Sequence, residues 1–302
     1  MQVRVQVPAS TSNLGSGFDT LGLAVQLYNH LLVRRLPTCK IALGWDPSEE
    51  DRVWFRSTLA AAADLFFRTV NVRPFGTEVT LTGDVPIARG LGASATVRVG
   101  MLAALNVLSG VMLGRESLLG LAAELEGHPD NASPAIFGGF TVSGYVGGSV
   151  RCLSFRVGSR LKLVTLMPRF GISTAAARKL MPAGYSRADS AHSLNRAALI
   201  TAALSAGKYE DLRGLFDDRF HQPYREKLLP QLSSVIQAGE KAGALGGFLS
   251  GSGSSIICLA LDRAESVRRA MKRVMPAANV RVLEADNVGL KIDSGQRRNR
   301  HE

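Results

Sequence analysis

The sequence is poor in cysteine, in aromatic residues and in long apolar runs. Its three cysteines, Cys39, Cys152 and Cys258, are odd in number and far apart, so it carries neither a disulfide framework nor a paired thiolate metal site. Such thiols suit a reducing cytoplasm and read as small core residues. No apolar run approaches the roughly 18 residues of a membrane span. Residues 1–7 alternate like a strand and lack the apolar stretch of a signal peptide. The expected location is cytoplasmic, with no membrane partner. Aromatics make up only 6% of the chain, and bases do not interleave with rings, which argues against a nucleic-acid partner. No Gly-x-x-x-x-Gly-Lys-Ser/Thr loop occurs, and the signature loops of protein kinases are missing. Any phosphoryl transfer here therefore needs another scaffold.

What is present is the composition of a globular protein. The 302 residues are 46% hydrophobic and 20% charged, enough for one large domain or two of ordinary size. The net charge of +11 is uneven: residues 1–150 hold 11 Lys/Arg and 12 Asp/Glu, whereas residues 151–302 hold 25 and 13. A basic half can help attract a polyanionic nucleotide or an acidic substrate. The plainer reading is a set of solvated helix faces, as in residues 263–275, where Val267, Ala270, Met271 and Val274 form an apolar stripe with most bases away from it. Periodicity predicts a strand over 3–7, a polar loop over 9–20 and an apolar segment over 21–33. Helices are expected over 57–68, 94–108 and 118–126, and strands and turns over 140–157. The second half alternates strand and helix. A boundary is expected near 155, giving an N-terminal domain over 1–155 and a C-terminal domain over 156–302, whose end from Gln296 reads as a frayed basic tail.

Four segments concentrate polar chemistry. Residues 86–96 (Pro86, Ile87, Ala88, Arg89, Gly90, Leu91, Gly92, Ala93, Ser94, Ala95, Thr96) are a glycine loop running into a helix. Its backbone N–H groups and the helix dipole can cradle phosphates, with the Ser94 hydroxyl in reach of a metal bound to them. A close-packed strand-to-helix turn would look the same. In the second segment, Glu126, His128, Asp130 and Asn131 crowd the end of a helix. A carboxylate there suits Mg²⁺, although Gly127, Pro129 and an Asp-Asn cap would also stop a helix. The third places Asn13 and Asp19 in a glycine-bearing stretch, and the fourth, Ser250 to Gly253, is a tight turn between strands.

In this order and spacing the segments resemble the GHMP superfamily of small-molecule kinases, and within it the homoserine kinases. The carriers are Pro-x-x-x-Gly-Leu-Gly-x-Ser-Ala (86–95), Ser-Gly-x-Gly (250–253), Pro-Ala-Ser-x-x-Asn-Leu-Gly-x-Gly-Phe-Asp-x-Leu-Gly (8–22) and Glu-Gly-His-Pro-Asp-Asn (126–131). Residues 172–178 and 223–230 match as well, so the likeness runs over about residues 3 to 260. It implies an α+β, two-domain fold, with an N-terminal half like domain 2 of ribosomal protein S5 and a ferredoxin-like C-terminal half. It also implies that ATP is the co-substrate and Mg²⁺ the metal, with residues 86–96 around the phosphates and Ser94 and Glu126 on the ion. By the same likeness Asn13, Asp19, His128, Asp130, Asn131, Arg178 and Arg225 surround L-homoserine. The two arginines would clamp its α-carboxylate, Asp19 would pair with its ammonium group, and Asp130 and Asn131 would lie at the reacting hydroxyl. The product would be O-phospho-L-homoserine, a step of threonine biosynthesis; the competing reading is a GHMP kinase acting on another small alcohol. Family habit suggests a homodimer. Ala93 departs from the usual serine, Ser254-Ser255 from Pro-Thr, and Asp51 from an asparagine at the adenine side.

The basic half is expected to bind neither RNA nor DNA. An electrophoretic shift that weakens steeply with salt would contradict this.

Overall fold

The structure is a computed structural model that describes residues 1–293; the tail expected from Gln296 lies outside the described residues. Alternation of Val3, Val5 and Val7 with polar neighbours starts strand β1 (Gln2–Asn13), which pairs antiparallel with β2 (Gly17–Leu36). β3 (Ile41–Leu43), α1 (Glu49–Val70) and β4 (Gly76–Gly83) follow. α1 opens on Ser48, whose hydroxyl accepts from Asp51 N–H at 3.2 Å, with three acids in its first turn favouring the positive helix end. Next come α2 (Ala93–Ser109), α3 (Arg115–Glu126), α4 (Ala132–Phe137), β5 (Phe140–Val146) and β6 (Ser149–Phe155). The valines of β1, with Leu31, Val33 and Val79, pack against α1, α2, α3 and α4 in one apolar core.

The chain then crosses to β7 (Lys162–Met167), α5 (Thr174–Lys179), α6 (Arg187–Ser205), α7 (Gln222–Arg225) and α8 (Leu232–Lys241). β8 (Gly246–Leu249), β9 (Ile256–Ala260), α9 (Ala264–Val274) and β10 (Asn279–Leu283) complete this half, and β11 (Lys291–Asp293) returns to pair with β1. The second sheet runs β10-β7-β9-β8 and is antiparallel throughout, the ferredoxin-like order. Val267, Ala270 and Met271 of α9 are buried, as the apolar stripe required. We propose residue 155 as the division between halves, because β6 is the last strand before the crossing to β7. On this reading β11 is a strand that the far end of the chain lends back to the first half.

Period-two alternation in β9 binds the halves together. Ile256, Cys258 and Ala260 face the core under α8 and α9, whereas Ile257 and Leu259 face a second core. That second core is shared: it holds Ala9, Leu21, Leu23 and Phe140 from the first half with Leu163, Phe216 and Phe248 from the second. Among the described residues no helix is long and apolar enough to cross a membrane.

The polar loop expected over 9–20 is instead mostly strand. β1 continues through Pro8 with a register shift, and only residues 14–16 turn. Ser10, Thr11, Ser12 and Asn13 are almost fully buried, because their side chains bond across the molecule rather than to solvent. Polarity gave the wrong sign for burial.

Phe248 is fully buried in the shared core and stacks on Phe216 with ring centroids 5.4 Å apart. Phe248→Ala is expected to cost about 3–5 kcal/mol and to destabilise both halves together in a single urea transition. A second transition, with one half retaining wild-type stability, would contradict the shared core.

Candidate active site

The glycine loop is wedged between the two halves. Gly90 and Gly92 have φ of 71° and 67°, and Gly92 opens α2 with no capping side chain. The first-turn N–H groups of this helix are therefore available to an anion. A Cβ on Gly90 would lie 2.0 Å from the Ser250 carbonyl, and one on Gly92 would lie 2.2 Å from Ser10 Oγ. Glycine is thus required by close approach as well as by backbone conformation. The turn after β8 reaches across to hold the loop. Ser250 Oγ donates to Gly90 O at 2.5 Å and Ser255 N–H donates to Arg89 O at 3.1 Å, while Gly251 N–H ties the turn to β1 by donating to Ser12 O at 3.2 Å.

A cleft of about 490 Å³ opens in front of this wedge, lined by residues of both halves. Ile87, Ala88, Gly90, Gly92, Ala93 and Ser94 line it, but five of the eleven residues read as a phosphate loop do not. Pro86 and Arg89 face a separate groove. Arg89 donates to the carbonyls of Ile87, Pro168 and Arg169, so its charge serves as a strut between halves. Leu91, Ala95 and Thr96 are buried behind the loop, and Thr96 Oγ1 accepts from Asn29 at 2.8 Å.

α3 brings Glu126 to the cradle. Its Oε2 accepts from Ser94 Oγ at 2.9 Å, and its Oε1 lies 2.7 Å from Arg98 Nη1. The second contact is an ion pair without hydrogen-bond geometry, which leaves Oε1 buried with no hydrogen-bond donor among the described residues. Gly127, at φ 79°, ends the helix. Asn131 stands at the N-cap of α4 but makes no capping bond. Its amide donates to Ser12 Oγ at 3.0 Å and to Asp130 Oδ1 at 3.1 Å, and its carbonyl accepts from Ser10 at 2.9 Å. The Asp-Asn pair therefore serves the cleft and not the helix end. Asp51, by contrast, is tied up with Ser48 at the start of α1, on the cleft's outer wall.

The opposite end of the cleft gathers charged and polar side chains, Asn13, Asp19, Arg178 and Arg225 among them. Asn13 and Asp19 both have positive φ, 70° and 53°, which is uncommon outside glycine and typical of functional turns. Asn13 Oδ1 accepts from Asp19 N–H at 3.1 Å, and both oxygens of Asp19 accept from Arg178 Nη2 at 2.7 and 2.9 Å. Arg178 and Arg225 converge on one ring: their guanidinium carbons lie 5.3 and 5.2 Å from the centroid of Phe18. Arg225 is almost fully buried, and its Nε finds no hydrogen-bond partner among the described residues. Burial, and then the charge of Arg178, pull its pKa down to about 10. It still carries a proton at neutral pH, so the pocket holds a desolvated, partly unpaired cation suited to a carboxylate.

His128 bonds through Nδ1 to Asp130. Burial alone would lower its pKa, but that bond and the charges of Asp130, Asp19 and Glu126 outweigh burial and raise it above the ordinary 6.5. His221, which the sequence reading passed over, is fully buried behind Arg225. Its Nε2 donates to Gly15 O at 2.8 Å, and its Nδ1 accepts from Arg225 at 3.3 Å. Burial lowers its pKa to about 4, the Asp218 carboxylate opposing this and Arg225 adding to it.

The chain matches the GHMP kinases N terminal domain over residues 57–139 and the GHMP kinases C terminal region over 199–277. It is 37% identical to a homoserine kinase of Caldicellulosiruptor bescii, over 97% of this chain and 98% of that one. It belongs to the homoserine kinase family. A homoserine kinase of Aliarcobacter butzleri is 34% identical over 96% of this chain and 100% of its own. The crystal structure of homoserine kinase from Cytophaga hutchinsonii superposes with a TM-score of 0.84 at 26% identity, covering 97% of each chain. A mevalonate kinase from L. major, at 19% identity and a TM-score of 0.71 over 93% of this chain and 95% of its own, shares the two-domain fold. Within the homoserine kinase family, then, the segments quoted from the sequence meet in one cleft. Phe18, Arg98 and His221 were missed. Arg98 left a signal, because it is the single charge in the apolar run of α2.

His221 is neutral in the fold but titrates near 6.5 once unfolded. Its contribution to stability is therefore lost as pH falls from about 6.5 towards about 4. Denaturation midpoints are expected to decline across that window and to decline less in His221→Gln. An unchanged slope in the variant would contradict the buried neutral imidazole.

Proposed function

We propose that this chain transfers the γ-phosphoryl group of ATP to the side-chain hydroxyl of L-homoserine, yielding O-phospho-L-homoserine for threonine biosynthesis. The observation that carries the proposal is the opposition, across one cleft, of an uncapped helix N-terminus with Ser94 and Glu126 to the paired guanidiniums of Arg178 and Arg225. Family membership supports it independently.

Phosphoryl transfer passes through a loose transition state, so positioning and charge neutralisation supply most of the catalysis. The N–H groups of residues 90–94 hold the triphosphate. Mg²⁺ would be held by Glu126 and Ser94, an all-oxygen donor set of the kind this ion prefers, and bound there it neutralises phosphate charge. The Oε1 of Glu126, buried with no hydrogen-bond donor among the described residues, supports that assignment. Arg178 and Arg225 clamp the α-carboxylate of homoserine, Asp19 and Asn13 take its ammonium group, and Asn131 orients the hydroxyl. The nucleophile loses its proton late in such a reaction, and Asp130, held by His128 and Asn131, is the carboxylate we assign to receive it. A net-basic second half favours approach of both anionic substrates. The same proposal includes a cytoplasmic location, supported by three free thiols, and a homodimer, supported by family habit.

ADP release from Mg-ATP is expected to depend on L-homoserine and to be far slower with sugars, glycerol or mevalonate. Ser94→Ala and Glu126→Ala should each lower kcat by about a hundredfold. Arg178→Ala should raise the KM for homoserine by about tenfold to a hundredfold with a smaller change in kcat. Preference for another alcohol, or wild-type kinetics in Arg178→Ala, would defeat the substrate assignment.

A further inference from the structure

Arg98 stands one helical turn beyond Ser94, so both side chains occupy the same face of α2 and line the phosphate end of the cleft. Its guanidinium lies 2.7 Å from Glu126 Oε1, with 21% of its side chain and 8% of the glutamate's exposed. The pair is incompletely satisfied. Arg98 Nε is a buried donor and Glu126 Oε1 a buried acceptor, and neither makes a hydrogen bond among the described residues. Unmade bonds of this kind cost stability, and a partly buried ion pair is weak compensation. Packing therefore does not account for an arginine in a helix that carries no other charge. The two atoms have complementary needs: the guanidinium wants an anion and the carboxylate wants a cation. A nucleotide phosphate arriving with a divalent metal meets both.

We propose that Arg98 is a resident counter-charge of the nucleotide site, which competes with the divalent metal for Glu126 and donates to the phosphates of the bound nucleotide. The inference rests on the kinase reading above. It makes two demands of opposite sign. In the free protein Arg98 holds the carboxylate, so the metal alone binds weakly. When nucleotide enters without metal, Arg98 supplies the positive charge that the ion would have brought, so metal-free nucleotide retains measurable affinity. A residue that only stabilised the fold would move both affinities in the same direction or move neither.

Calorimetry on the full chain separates these cases, with Mn²⁺ alone, a non-hydrolysable ATP analogue in EDTA, and the same analogue with Mg²⁺ as titrants. Arg98→Ala is expected to bind Mn²⁺ about tenfold more tightly and the metal-free analogue about tenfold more weakly than the wild type. Arg98→Met, which keeps side-chain bulk, should behave alike, and Arg98→Lys should retain most of the metal-free affinity. Parallel shifts, or no shift, in the neutral variants would overturn the proposal while leaving the kinase reading intact. A wild-type chain that failed to bind the Mg²⁺-loaded analogue would overturn the kinase reading and this inference with it.

Discussion

The close contact of Gly90 and Gly92 with Ser250 and Ser10 is the constraint on which the rest of the site depends. Any side chain at either glycine would collide with the opposite half or with β1. The backbone is thereby pressed into a left-handed path that leaves the N-terminus of α2 uncapped and facing the cleft. Once that end is fixed, Ser94 is fixed with it, and α3 needs only to deliver Glu126 to within a hydrogen bond. Much of the cost of this arrangement falls on buried polar groups in β1. Ser10, Ser12 and Asn13 are desolvated and then repaid by bonds to Asn131 and Gly251.

The shared core explains how two halves can hold one site between them. β9 alternates between a core of its own half and a core common to both. The turn between β8 and β9 is therefore anchored at its base before it touches the glycine loop. The arginine end of the cleft is organised by charge rather than by packing alone. Two cations share the Phe18 ring, with Asp19 answering Arg178 and neutral His221 supporting Arg225 from behind. Burial keeps His221 uncharged, so no second positive charge is set beside Arg225.

The glycine loop, the Glu126–Asn131 cluster and the alternation of the second half were legible because each follows a short-range rule: φ preference, residue spacing or period. Resemblance singled out Asn13, Asp19, Arg178 and Arg225, which no local rule marks and which the fold brings to one cleft. Residues 9–13 were misread as loop because their polarity is answered by partners more than a hundred residues away. Arg89, counted with the loop around the phosphates, likewise turns its guanidinium to distant partners, the carbonyls of the other half. Convergence of Arg178 and Arg225 on Phe18 depends on how α5 and α7 settle against the hairpin of β1 and β2. That is tertiary information with no sequence signature.

A crystal structure with Mg²⁺, a non-hydrolysable ATP analogue and L-homoserine tests the account most directly. It should place the triphosphate over the N–H groups of residues 90–94 and the homoserine carboxylate between Arg178 and Arg225. A triphosphate bound elsewhere, or an amino acid turned with its carboxylate towards Asp19 and Asp130, would contradict the account.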